Sequence, residues 1–334
     1  MAKGLAVVAG GGGFIGGFLA KDLLKQGYNV RVVDIKPMDD WYQVHPEAEN
    51  VVADLKDLAS CRRAVKGATR VYQLAADMGG MGFIENNKAL CMLSVLINTH
   101  MLMAAKDEGS IERFFYSSSA CVYNADKQKS EDVVPLKEED AYPGMPEDGY
   151  GWEKLFSERM CRHFYEDFGL ETRVARFHNV YGPHGTWEGG REKAPAAMCR
   201  KIIAAKLNGD TEMEIWGDGK QTRSFMYIDD CIKGINMFTE APHGEPLNLG
   251  SDELTTILGL AEMVEGFAGI KLKKNHNLNA PKGVNGRNSD NTKIKQVHGW
   301  APGITLKEGM KKTYDWIYEE YVAKYGAGKA TAKV

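Results

Sequence analysis

Tyr150-Gly151-Trp152-Glu153-Lys154 sets a phenol and an ammonium four residues apart, which puts both on one face of a helix. A lysine's charge at that distance lowers the phenol's pKa toward neutrality. The phenolate then accepts a hydroxyl proton while a nicotinamide accepts the hydride. Tyr-x-x-x-Lys alone arises often by chance. Two companions give it weight: the upstream string Ser117-Ser118-Ser119-Ala120-Cys121-Val122-Tyr123 and the glycine-rich start Gly10-Gly11-Gly12-Gly13-Phe14-Ile15-Gly16.

In that start, Gly10, Gly13 and Gly16 take the first, fourth and seventh positions, after a short apolar run and before a helical pattern over 14–26 that stops at Gly27. This is the context in which such glycines bind a dinucleotide. The chain turns tightly, and the pyrophosphate rests at the helix N-terminus that Phe14 and Ile15 open. Asp34 ends the next strand-like run, 30–34. A carboxylate there accepts from ribose hydroxyls and repels a 2′-phosphate, favouring NAD over NADP; Lys36 lies close enough to bear on that choice. Asp54, ending the run 51–54, is read either as reaching the adenine or as a helix cap before Leu55.

Positioning these residues requires alternating strands and helices. Further strands are expected at 71–75, 114–117 and Thr172–Phe177, with helices near 57–66, 86–108 and 150–168. Strand–helix alternation at this spacing means a parallel sheet with right-handed crossovers. The fold class is therefore α/β: a Rossmann doubly wound sheet, followed by a smaller mixed α/β substrate-binding domain. After 177 the pattern turns irregular, with long glycine loops, a helix near 194–206, strands at 213–216 and Leu247–Leu249, and helices near 254–266 and 306–324. Residues 1–180 are assigned to NAD binding, and 181–325 to the substrate domain, which sends segments back to the first. Residues 326–334 form a small, polar tail, expected to be disordered.

At 334 residues the chain can bury a large core, and 43% hydrophobic with 26% charged residues is ordinary for a soluble globular protein. A net charge of −3 gives no electrostatic reason to expect nucleic acid or a membrane. No apolar run is read as long enough for a bilayer span, and the N-terminus has no signal-peptide layout. The six cysteines, at 61, 91, 121, 161, 199 and 231, form no metal-type spacing; buried free thiols in a reducing cytoplasm fit them. No metal is expected. The 86–108 segment is apolar on more than one face, which suggests a homodimer helix paired with 150–168, or else a helix packed inside one large subunit.

With these residues in place the chain resembles the extended short-chain dehydrogenase/reductase family acting on nucleotide sugars. The matching residues are Gly10, Gly13, Gly16, Asp34, Ser119, Tyr150, Lys154, the string Arg176-Phe177-His178-Asn179-Val180-Tyr181-Gly182-Pro183, and Gly217-Asp218-Gly219-Lys220-Gln221-Thr222-Arg223-Ser224-Phe225. Three longer strings are similar to members that invert carbons 3 and 5 of GDP-mannose. These are Met78-Gly79-Gly80-Met81-Gly82-Phe83, Gly189-Gly190-Arg191-Glu192-Lys193-Ala194-Pro195-Ala196-Ala197 and Gly286-Arg287-Asn288-Ser289-Asp290-Asn291. The resemblance runs from about residue 5 to about 320.

The resemblance implies a tightly held, recycled NAD and oxidation of the hexose at carbon 4 by Ser119, Tyr150 and Lys154. It implies proton removal and return at carbons 3 and 5 by Cys121 and Lys193, giving GDP-L-galactose and, from carbon 5 alone, GDP-L-gulose. A thiol and an amine suit this work, because burial and nearby charge tune each toward neutrality. Without the resemblance, Cys121 reads as a small buried residue, and Lys193 as a solvated lysine or a diphosphate contact. Related 4,6-dehydratases carry Asp-Glu where Ala120-Cys121 stands. A plain 4-epimerase needs neither Cys121 nor Lys193 for chemistry at carbon. Substrate positions fall on Gly79, Ser119, Cys121, Asn179, Glu192, Lys193, Lys201, Gln221, Arg223 and Arg287. Both arginines suit a diphosphate, or else serve as structural ion-pair partners. His178 is either a proton relay or a satisfied loop histidine. The alternatives in function are another nucleotide-sugar epimerase, such as a 4-epimerase, and a non-catalytic NAD-binding regulator.

Overall fold

The computed structural model describes residues 3–242, 244–281 and 283–326. Residues 327–334, most of the expected tail, lie outside the described residues. The chain opens with β1 (Leu5–Ala9), α1 (Phe14–Lys25), β2 (Asn29–Asp34), β3 (Glu49–Val52), α2 (Leu58–Val65) and β4 (Arg70–Gln73). Three consecutive helices follow: α3 (Met81–Asn86), α4 (Lys88–Met92) and α5 (Ser94–Glu108). Then come β5 (Arg113–Ser119), α6 (Asp148–Phe168), β6 (Thr172–Phe177), β7 (Val180–Tyr181) and α7 (Ala194–Asn208). The remainder runs β8 (Glu212–Trp216), β9 (Thr222–Ser224), β10 (Met226–Tyr227), α8 (Ile228–Glu240), β11 (Leu247–Leu249), β12 (Leu254–Thr256), α9 (Ile257–Ala268), β13 (Lys273–Asn277), β14 (Gly286–Arg287), α10 (Thr292–His298) and α11 (Leu306–Tyr325).

Seven strands form one parallel sheet in the order β11-β6-β5-β4-β1-β2-β3. The direction of winding reverses between β1 and β4, where doubly wound folds bind ligands at the strands' carboxyl ends. Both sheet faces are apolar, as a sheet covered on two sides requires. Ala6 and Val8 of β1 join one core with α1, α7, α8, α9 and α11. Val7 and Ala9 point the other way, into a core with α2, α5 and α6. Strand β11 returns from the second half of the chain to pair with β6, Leu247 against Ala175 and Leu249 against Phe177. Smaller sheets, β12-β9-β14, β13-β8 and β10-β7, carry the loops that face the carboxyl edge.

The segment read as one helix over 86–108 is broken at Asn87 and Leu93. Contrary to the sequence reading, Lys88–Glu108 is long and apolar enough by length and composition to cross a bilayer. In this fold it belongs to the core: Ile97, Met101, Leu102, Ala104 and Ala105 are buried between the sheet and its neighbours. The 254–266 segment also differs, because its first three residues form β12 against β9 and the helix starts at Ile257. Thr256 caps that helix, its side chain accepting from Gly259 N. All six cysteines are buried free thiols.

Candidate active site

One cleft of about 750 Å³ runs along the carboxyl edge of the sheet. Its lining includes Gly10, Gly13, Phe14, Ile15, Gly16, Asp34, Asp54, Gly79, Ser119, Cys121, Tyr150, Lys154, Asn179, Glu192, Lys193, Lys201, Gln221, Arg223 and Arg287. These catalytic, cofactor and substrate candidates from the sequence therefore meet in a single cavity, although they come from many separate elements and loops. His178 does not line it.

At one end the β1–α1 turn fits NAD. Gly10 takes φ +80°, and a Cβ there would lie 2.8 Å from Ala75 N; a Cβ on Gly16 would lie 2.4 Å from Gly10 O. Only glycine closes this turn, and it leaves backbone and helix N-terminus open to a pyrophosphate. Asp34 ends β2, and its Oδ1 accepts from Lys36 N at 3.0 Å. Lys36 Nζ donates to Gly12 O at 2.9 Å, so its charge is turned toward the glycine loop instead of a 2′-phosphate. Asp54 is not a helix cap. That place belongs to Asp57, which accepts from Ser60 N at 2.8 Å, while Asp54 Oδ1 accepts from Lys56 N at 2.8 Å.

Strand β5 delivers three serines with three destinations. Ser117 Oγ donates to Gln73 O, and Ser118 Oγ to Glu158 Oε1. Ser119, at the strand's end, accepts from Cys121 N at 3.2 Å and faces the cleft. Tyr150 and Lys154 sit one turn apart on α6, as the spacing requires. Lys154 Nζ donates to Ser117 O at 3.0 Å and lies 5.6 Å from the Tyr150 ring centre. The expectation that Lys154 draws the phenol toward neutrality is not met by the protein alone. Burial dominates and pushes the Tyr150 phenol well above its ordinary value, with the Ser119 hydroxyl opposing. Burial likewise pulls the Lys154 ammonium below the usual lysine value, against the raising effect of Glu153.

Cys121 follows β5 in a short 3₁₀ turn. Its sulphur accepts from Arg287 Nη1 at 3.5 Å. Burial raises the thiol's pKa, and Arg287 opposes that rise. Lys193 occupies the N-cap position of α7, just beyond the pair Gly189 and Gly190, both in the left-handed region. Burial lowers the Lys193 ammonium, and Cys121 is the largest opposing influence on it. Burial thus moves thiol and amine toward each other, but it carries the thiol away from the neutrality expected of it and only the amine toward it. Glu192, beside Lys193, is held by Arg200 at 3.0 Å and by Gly190 N at 2.7 Å.

The remaining substrate candidates surround this centre. Arg287, expected at a diphosphate, places Nε on Gln128 Oε1 and Nη2 on Glu147 Oε2, each at 2.6 Å, besides its contact with Cys121. Arg223 donates to the carbonyls of Thr222, Val284 and Asn285, and burial with neighbouring Arg287 lowers its pKa to about 10. Lys201 Nζ donates to Glu214 O and lies over the Trp216 ring. Asn179 takes φ +42° and donates to Ser224 O, and Gln221 Oε1 is buried with no hydrogen-bond partner among the described residues. His178 is fully buried. Its Nε2 meets Asn248 Oδ1 at 2.9 Å, and burial lowers its pKa to about 3. Glu147, Gln128 and Glu153 were missed from the sequence; no spacing marks a carboxylate or amide that acts only after the chain has folded around it.

A dinucleotide turn, an acidic β2 end and a Ser119–Tyr150–Lys154 group on one cleft define a reductase-type centre of the short-chain kind. Residues 6–250 match the NAD dependent epimerase/dehydratase family, and the chain belongs to it. It is 46% identical over 332 residues to GDP-mannose 3,5-epimerase of Arabidopsis thaliana, covering 96% of this chain and 86% of that one. It is 45% identical over 335 residues to GDP-mannose 3,5-epimerase 1 of Oryza sativa subsp. japonica, covering 97% and 87%. Among solved structures, UDP-glucuronic acid 4-epimerase from Bacillus cereus, in complex with UDP-glucuronic acid and NAD, aligns with a TM-score of 0.78 at 25% identity, covering 95% of this chain and 100% of that one.

Proposed function

We propose that this protein is an NAD-dependent enzyme that inverts carbons 3 and 5 of GDP-mannose. The products are GDP-L-galactose and, from carbon 5 alone, GDP-L-gulose. The relatives at 44–46% identity over nearly the whole chain support this reading. The observation that carries it is the placing of Cys121 and Lys193 in the cleft that holds Tyr150 and Lys154.

NAD, when bound by the Gly10–Gly16 turn and Asp34, supplies a reversible hydride acceptor for carbon 4. Tyr150, with Ser119 and Lys154 beside it, takes the proton from the carbon-4 hydroxyl. The resulting ketone acidifies the hydrogens on carbons 3 and 5, since an enolate spreads the charge. Cys121 and Lys193 then withdraw and return protons at those carbons, one acting as base while the other acts as acid. Tyr150 finally returns its proton to oxygen 4. Gly79, Asn179, Glu192, Lys201, Gln221, Arg223 and Arg287 bind and orient the nucleotide sugar.

Incubating GDP-mannose with the enzyme in heavy water, with products resolved by NMR, tests this. Deuterium is expected at carbons 3 and 5 of GDP-L-galactose and at carbon 5 of GDP-L-gulose. Epimerisation at carbon 4 without solvent label would make the protein a 4-epimerase, and binding without any new isomer would make it a regulator. Two further properties belong to the same proposal. Met92 and Leu93 beside α5, Leu96 on it, and Trp152 and Phe156 on α6 are exposed apolar side chains on adjoining helices, the surface a homodimer would cover. Light scattering at micromolar concentration tests that. Six unpaired thiols support a reducing, cytoplasmic setting, which imaging of the tagged protein in its own cell tests.

A further inference from the structure

Glu153 is a buried carboxylate beside the catalytic pair, and the mechanism above gives it no task. Its Oε1 accepts from Asn98 Nδ2, from Ser157 Oγ at 2.9 Å and from Tyr116 OH at 3.3 Å. Its Oε2 is buried with no hydrogen-bond donor among the described residues, and faces Lys154 Nζ at 3.8 Å. Lys154 is 2% exposed and, among the described residues, has one neutral acceptor, Ser117 O. An ammonium so placed loses its hydration and tends to shed its proton unless a negative charge balances it.

The other groups facing Lys154 do not supply that charge. Tyr150 and Cys161 on α6, Tyr116 on β5 and Cys121 after it are all held in their neutral forms by burial. Helix α5 contributes Asn98, which is uncharged. Glu158 on α6 is charged, but Arg176 takes it in a two-pronged contact at 2.7 and 2.9 Å. Glu153 is what remains.

We propose that Glu153 is a positioning residue for the reaction: its buried carboxylate is the counter-charge that keeps Lys154 an ammonium beside Tyr150. The inference rests on the role given above to the Tyr150–Lys154 pair. Asn98, Ser157 and Tyr116 hold one carboxylate oxygen and so aim the other at Nζ. Without that second oxygen, Lys154 becomes a neutral amine at lower pH, and its electrostatic help to Tyr150 ends there.

The test follows the protonation of Lys154 directly. In the full chain carrying ¹³C-labelled lysine, the Lys154 Cε signal, assigned by its loss in Lys154→Arg, is titrated by NMR alongside the pH dependence of turnover. Glu153→Gln keeps the shape and removes the charge. Its Lys154 midpoint is expected to fall by about one to three pH units, the usual effect of losing an opposite charge at this distance. The alkaline limb of turnover is expected to fall with it. A folded Glu153→Gln whose midpoint stays put, whatever its rate, overturns the proposal. If that variant does not fold, Glu153→Asp decides. It keeps the charge one methylene further away, so a smaller fall supports the proposal and an unmoved midpoint overturns it. The NMR midpoint does not depend on turnover. A fall in protein that yields no isomer of GDP-mannose therefore supports the linkage while sinking the reaction proposed above.

Discussion

Arg287 Nη1 lies 3.5 Å from Cys121 Sγ while its Nη2 grips Glu147 at 2.6 Å, so one guanidinium links the thiol to a largely shielded carboxylate. The two neighbours act on the thiol in opposite senses. Arg287 lowers its pKa, Glu147 raises it, and burial raises it more than either. Arg287→Lys keeps a charge but cannot serve Gln128, Glu147 and Cys121 from one nitrogen. Its deuterium uptake at carbons 3 and 5 should fall by about 10–100-fold, and its optimum should move to higher pH, because a less supported thiolate forms later. Uptake rates across pH check this, and an unchanged optimum would count against any hold of Arg287 on the thiol.

Cys121→Ala removes the sulphur and leaves Ser119, Tyr150 and Lys154 in place. Solvent deuterium incorporation should fall by about 10²–10⁴-fold, the range for losing a positioned acid or base. Binding of GDP-mannose, measured by calorimetry, should be nearly unchanged. Tyr150→Phe should also abolish new isomers, but through the earlier step at carbon 4. Wild-type label uptake by the Cys121→Ala variant would reject its assigned role.

His178 supplies a pH dependence of stability. Burial holds its folded pKa at about 3, below the ordinary value of 6.5. The unfolded chain therefore binds the extra proton first. The stabilisation is full above about pH 6.5 and is lost as pH falls toward 3, at up to about 1.4 kcal/mol per unit. Urea midpoints measured from pH 7.5 down to 4 should show that slope in the wild type and a shallower one in His178→Gln.

A buried ion pair underlies β6. Arg176 and Glu158 are both almost fully inaccessible, and Arg176 Nη1 also donates to Glu138 O at 2.7 Å. Arg176→Met strands the Glu158 carboxylate, and urea unfolding should lose about 3–5 kcal/mol. The same loss from an exposed pair such as Lys311–Asp315 is not expected, since solvent screens it.

What the sequence disclosed follows from where its signals are local. Thr172–Phe177 and Leu247–Leu249 are strands because short β-branched or aliphatic runs between turn residues have one local solution. Gly10 and Gly16 were legible because backbone contact at 2.8 and 2.4 Å forbids any other residue. Helix α8 was missed: its N-cap is Tyr227, with no side-chain cap to announce it. Thr255 and Thr256 sit in or beside an apolar run, yet tertiary pairing with Arg223 and Thr222 draws them into β12. In the sequence Glu147 looks like an ordinary loop residue before the 150–168 helix, and Glu153 like a solvent-facing residue on it. Their significance arises only where Arg287 reaches Glu147, and where Asn98 and Tyr116 fix Glu153 beside Lys154, contacts between distant parts of the chain that no local pattern encodes.

Gly80 ties the Met78–Gly82 loop to the loop that leads into Lys193. Its N–H donates to Arg191 O at 3.0 Å, and a Cβ on it would lie 2.4 Å from Glu192 O, one residue before Lys193. Arg191 closes the same seam from the other side, its guanidinium 3.8 Å from the Phe83 ring centre and Nη1 on Met78 O. The backbone of Glu192 cannot retreat freely, because Arg200 holds its side chain and Lys193 is the N-cap of α7. Gly80→Ala must therefore move the Met78–Gly82 loop or the Lys193 loop by several tenths of an ångström at least. Misplacement on that scale erodes the alignment proton transfer needs, so turnover should fall by about 10²-fold. The cost belongs to the site and not to the core, so urea midpoints should stay close to wild type. Full activity in Gly80→Ala would show that Lys193 does not depend on this seam for its position.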